Sequence, residues 1–166
     1  MTSAEWTDLG RLAERAGELL RLNGATVSVA EGSAGGLISA ALLSVPGASA
    51  YFVGGVVVYT GAAHRAFIAG TIDPPAGMRG ATEPFARYLA EAVAARTGTT
   101  WGIGEAGAAG PPNRYGDPAG HAWLAVAGPV TVTRHLLTGS DDRVTNMVAF
   151  AQAALTLFID TLESAR

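Results

Sequence analysis

The chain has neither lysine nor cysteine in its 166 residues, and only 15% of them are charged. Without cysteine there is no disulfide, no thiolate metal site and no cysteine nucleophile. Without lysine, proton abstraction must fall to other side chains, because a guanidinium stays protonated. The 11 basic residues, all arginine, and the 14 acidic ones leave a net charge of −3. No arginine run follows a single helix, so the basic footprint of a nucleic-acid binder is missing. A few arginines would still suffice to hold one phosphate. No run of about 18 uninterrupted apolar residues occurs, and the start, Met1-Thr2-Ser3-Ala4-Glu5-Trp6, lacks the basic region and apolar core of a signal peptide. These absences lead to the expectation of a cytoplasmic protein that contacts neither nucleic acid nor membrane. The length suits one domain over residues 1–166. Because the first helix starts almost at once, the domain is expected to stand alone.

What the chain does have is periodic. Residues 6–22 place Leu9, Leu12, Ala13, Ala16, Leu19 and Leu20 at helical spacing, and Asn23-Gly24 closes the helix. Residues 26–30 are short and β-branched, a buried strand, followed by a glycine turn over 32–36 and a helix over 35–43. Residues 55–59 form an apolar strand without polar alternation, a pattern expected of a strand covered on both faces. A short helix over 64–68 and a Pro/Gly loop over 71–80 follow. A helix over 82–97 opens on Thr82-Glu83-Pro84, and a strand is predicted over 100–106. A glycine- and proline-rich loop over 107–120 is long enough to be functional. Strands over 121–127 and 130–137 flank Gly128-Pro129, and a helix over 141–162 closes the chain. Strands alternating with helices, then a hairpin, predict an α/β fold: a three-layer α/β/α sandwich with a mixed sheet, in a single domain.

Chemistry has several candidate positions. A strand entering the Glu31–Gly36 turn and then a helix presents backbone N–H groups that can hold an anion or a developing oxyanion. The same turn would equally serve only to pack helix against strand. Ser49 follows a tight turn, where a serine is either a cap or, with a base beside it, a nucleophile. Tyr59 ends the apolar strand, the place where α/β proteins set their sites. His64 lies five residues further on, at a helix start. His121 and His135 share no spacing with His64 and no carboxylate cluster accompanies them, so no metal site is expected.

Ala30-Glu31-Gly32-Ser33-Ala34-Gly35-Gly36, Pro46-Gly47-Ala48-Ser49, Gly54-Gly55-Val56-Val57-Val58-Tyr59 running on to His64, Ala106-Gly107-Ala108-Ala109-Gly110-Pro111 and Gly139-Ser140-Asp141 occur in an order and spacing that resembles the C-terminal domain of the CinA (competence/damage-inducible) proteins. The resemblance covers nearly the whole chain. It implies an amide hydrolase that releases ammonia from nicotinamide mononucleotide or a related carboxamide, with no cofactor and as a homo-oligomer. Ser49 would match the nucleophile, with Tyr59 and His64 activating it. Glu31, Ser33, Gly35, Gly36, Gly107, Gly110 and Arg143 would line the ligand site. The glycines and prolines of the pattern are kept and its polar residues are not. Gly32, Ala34 and Ala106 stand where the pattern carries hydroxyls, Asp141 where it carries arginine, and His64 where it carries lysine. Loss of those groups points equally to a family member that has given up catalysis and binds a nucleotide-like ligand or serves in an oligomer.

Overall fold

The computed structural model describes residues 1–165 and contains one five-stranded sheet in the order β2-β1-β3-β4-β5. Its strands are β1 (Val27–Glu31), β2 (Phe52–Val57), β3 (Trp101–Ala108), β4 (His121–Ala127) and β5 (Thr131–Leu137). β1 runs parallel to both β2 and β3, while β3–β4 and β4–β5 are antiparallel, which makes the sheet mixed. Helices α1 (Ser3–Leu22), α2 (Leu37–Ser44) and α5 (Arg143–Ser164) pack on one face, and α4 (Glu83–Thr97) on the other, beside the short α3 (Gly61–Phe67). The three-layer α/β/α sandwich expected from the alternation of elements is therefore what forms.

Each layer has its own apolar set. Leu9, Leu19, Ile38, Ile103, Phe150 and Phe158 are fully buried between the sheet and α1, α2 and α5. α4 lies close against the other face, because β3 turns only Gly102, Gly104 and the small Ala106 toward it. A Cβ on Gly104 would stand 2.0 Å from the Ala86 carbonyl oxygen, and one on Gly102 at the same distance from that of Ala90. By length and composition α5 could cross a membrane, but over half of its most apolar window is buried in this domain, as a core helix requires.

Three expectations change. The apolar run after Tyr51 is an edge strand with alternate residues exposed, Val53 and Val57 among them, and not a strand covered on both faces. Its apolar character does not encode centrality, because Gly54 and Gly55 add no side chain to bury. The helix predicted over 64–68 starts earlier, at Gly61, because the Thr60 hydroxyl accepts the Ala63 N–H. β3 reaches Ala108, so pairing with β4 takes up the first two residues of the predicted loop.

Candidate functional site

β2, β1 and β3 all end at one edge of the sheet, and the chain that leaves each of them builds a cleft there. From β2 come Val58, whose N–H donates to the Glu31 carbonyl at 2.8 Å, then Tyr59 and Thr60. α3 adds His64, and the connection into α4 adds Met78, Arg79 and Gly80. Gly107 and the loop carrying Asn113, Arg114 and Tyr115 form the opposite wall. The cleft holds about 580 Å³.

Its walls are held by charge and by ring packing. The Arg79 guanidinium donates to both Asp117 carboxylate oxygens, at 2.6 and 3.2 Å, and holds that carboxyl well below its usual range, at about 2. Asn113 donates to the same carboxylate at 2.8 Å. Tyr115 has two guanidinium carbons near its ring, those of Arg79 at 4.9 Å and Arg114 at 4.8 Å, a cation–π arrangement. The His64 Nε2 pairs with the Tyr88 hydroxyl at 3.0 Å and its ring packs on Phe85 and Tyr88. At the rim, Arg143 donates to the Tyr59 hydroxyl at 3.0 Å and to the Gly110 carbonyl. Neither Arg114 nor Arg143 has a carboxylate partner among the described residues.

Of the residues singled out in the sequence, Tyr59, His64 and Gly107 line this cleft, and Gly110 and Arg143 stand beside it through Tyr59. Ser49 does not come near. It lies in a one-turn helix (Ala48–Ala50) ahead of β2, at the edge where the Tyr51 carbonyl accepts the Val27 N–H. Tyr59 lies beyond the other end of that strand, whose six residues span roughly 17–20 Å. Within one chain, then, Ser49 forms no constellation with Tyr59 and His64.

The glycine turn is built differently from a ligand cradle. The Glu31 carboxylate, read from sequence as a ligand contact, is fully buried and caps α2: it accepts the N–H groups of Ile38 and Ser39 at 3.0 Å each and the Ser39 hydroxyl at 2.6 Å. A carboxylate at a helix N-terminus satisfies donors that have no partner in the helix. Gly36 enters the helix at φ 100° and Gly35 precedes it at φ 67°, conformations that disfavour a side chain. Ser33 is almost fully buried, and its hydroxyl donates to Glu105 at 2.5 Å.

Glu105 is the functional-looking residue that sequence reasoning missed. It is fully buried next to Glu31 in the β1–β3 register and accepts the N–H groups of Gly32 at 3.0 Å and Ala34 at 2.8 Å as well as the Ser33 hydroxyl. Burial drives its pKa up to about 7, with Glu31 adding in the same direction against the three hydrogen bonds. One carboxylate thus ties down three successive residues of the turn, Gly32, Ser33 and Ala34. The signal was present in the sequence, as a lone carboxylate in the run Gly102-Ile103-Gly104-Glu105-Ala106. Arg79, Arg114 and Tyr115 carried no such signal, since they lie in loops whose path only the fold decides.

Residues 9–162 match the family model described as the CinA C-terminal domain. The chain belongs to that family. A CinA-like protein of Prochlorococcus marinus (strain MIT 9313) is 40% identical over 113 residues, covering 68% of this chain and 26% of that protein. One of Myxococcus xanthus (strain DK1622) is 39% identical over 131 residues, covering 76% and 31%. This CinA domain therefore spans about a quarter to a third of the length of the curated relatives it matches. Among solved structures, the competence/damage inducible protein CihA from Agrobacterium tumefaciens superposes with a TM-score of 0.83 at 28% identity, over 94% of this chain and 96% of that one. A CinA superfamily protein from Klebsiella pneumoniae 700603, at 22% identity and a TM-score of 0.86 over 94% and 98%, shares the fold.

Proposed function

We propose that this CinA domain binds a small nucleotide-like anion in the cleft between Tyr59, His64 and the 109–120 loop. The observation that carries this reading is the pairing of two guanidiniums free of carboxylates, Arg114 and Arg143, with the rings of Tyr59, Phe85 and Tyr115 in a chain whose net charge is −3. Guanidinium supplies bidentate contacts to a phosphate, and aromatic faces supply stacking for a planar ring. Isothermal titration with nicotinamide mononucleotide against the phosphate-free nucleoside tests it. Binding of the nucleotide alone, weakened about 10- to 100-fold by Arg114→Ala, is expected from a charge-assisted contact of about 1.5–3 kcal/mol. Equal binding of both compounds, or indifference to the substitution, would reject the reading.

A second reading, hydrolysis of a carboxamide, is favoured by one geometric fact. Ser33 Oγ stands 2.5 Å from a carboxyl whose pKa is about 7, the pairing of hydroxyl and base that a serine nucleophile needs near neutrality. On this reading Ser33, not Ser49, attacks. Ammonia release lost in Ser33→Ala and kept in Ser49→Ala would support it, and the absence of release from the unmodified protein would leave binding as the activity.

A further inference from the structure

The three histidines lie far apart in sequence, and two of them meet. β4 and β5 pair antiparallel with Trp123 opposite His135, and His121 and His135 meet diagonally across that ladder. The two rings are 4.8 Å apart, with His121 Nδ1 2.8 Å from His135 Nε2. On the far side of its ring, His121 Nε2 lies 2.9 Å from the Ala81 carbonyl oxygen. A carbonyl only accepts, so the Nε2 of His121 carries a proton, and one further proton lies between His121 Nδ1 and His135 Nε2.

We propose that His121 and His135 together hold one divalent ion of the zinc, nickel or copper class. Imidazole nitrogens are the ligands those ions prefer, and bonds of about 2.0–2.1 Å put two adjacent nitrogens roughly 2.9–3.4 Å apart. The observed 2.8 Å is within a few tenths of the lower end of that range. The Ala81 carbonyl gives His121 the outer-sphere contact that fixes a metal-binding ring in its tautomer and orientation. On binding, the proton between His121 Nδ1 and His135 Nε2 leaves to water, so that both nitrogens present lone pairs to the ion. Water completes the coordination, since no third ligand group converges among the described residues. Glu83 is held beside the pair through its 2.8 Å bond from Thr133, two residues before His135, and Asp117, near His121, is tied to Arg79. The site does not depend on the ligand reading of the cleft.

The test uses the whole chain without an affinity tag, titrated with CuCl₂ and, separately, ZnCl₂. The Trp123 ring is 4.9 Å from that of His135, so Cu²⁺ is expected to bind one per chain and quench roughly a third of the emission, one of 3 tryptophans. Trp123→Phe should remove the quenching and keep the binding. His135 is exposed, so His135→Ala should leave the fold intact and weaken binding roughly tenfold or more. Zn²⁺ should move the imidazole proton resonances of His121 and His135 and leave those of His64 in place. Binding that His135→Ala does not weaken, or resonances of all three histidines shifting alike, would overturn the site and leave a hydrogen-bonded pair.

Discussion

Glu105 should make this protein less stable as pH rises through neutrality, the reverse of an ordinary surface carboxylate. In the unfolded chain it ionises near 4.5, and in the folded chain near 7, because burial penalises its charged form. Between those values the folded state holds a proton that the unfolded state has lost. Its stabilising effect is complete below about pH 4.5 and is lost as pH rises to about 7. At 1.36 kcal/mol per pKa unit, the displacement amounts to about 3 kcal/mol. For a chain of this size that is roughly 6–12 °C in melting temperature. Asp117 acts in a separate window: with its pKa held at about 2 against an ordinary 3.8, the stability it lends disappears only as pH falls below about 4. Urea unfolding at pH 5, 6, 7 and 8, run on the unmodified protein and on Glu105→Gln, isolates the effect. An amide oxygen can accept from Gly32 and Ala34 while its NH₂ donates to Ser33, so the turn keeps its bonds. The unmodified protein should lose stability across that range, and the variant should stay flat. Parallel curves, or a rise in the stability of the unmodified protein between pH 5 and 7, would refute a buried carboxyl titrating near neutrality.

Other consequences follow from single contacts. Gly104→Ala should cost about 3 kcal/mol or more in chemical denaturation, because its Cβ would meet the Ala86 carbonyl oxygen at 2.0 Å and α4 would have to lift off β3. Glu31→Ala should cost about 2–4 kcal/mol by leaving the buried Ile38 N–H and the half-buried Ser39 N–H and hydroxyl without an acceptor, and hydrogen exchange at Ile38 and Ser39 should speed up first. Ser49→Ala should stay within about 0.5 kcal/mol of the unmodified protein in stability and bind nicotinamide mononucleotide with unchanged affinity, since Ser49 is exposed at the edge of the sheet away from the cleft. A weakened affinity would show that the residue reaches the ligand by a route that one chain does not provide.

The sequence by itself determined the class of fold, because the fold rests on local, periodic information. Helical spacing in 6–22, 82–97 and 141–162 and β-branched runs between them name the elements, and their alternation allows few topologies. It also marked the edge of the sheet where the cleft opens, through Tyr59 just beyond a strand and the glycines at 107 and 110. The order of strands was not legible, because an apolar run reads alike at a sheet's centre and at its edge, and β2 proved to be the edge. Proximity was not legible either. Ser49 and Tyr59 are ten residues apart in the chain but lie at opposite ends of a strand, while Arg143 meets Tyr59 from 84 residues away. Tertiary structure alone decided that Glu31 caps a helix, that Glu105 ties down the turn at Gly32–Ala34, and that two histidines face each other across β4 and β5. Each of these depends on register and packing, where a displacement of one residue turns a side chain to the other face, and local sequence does not encode which segment becomes its neighbour.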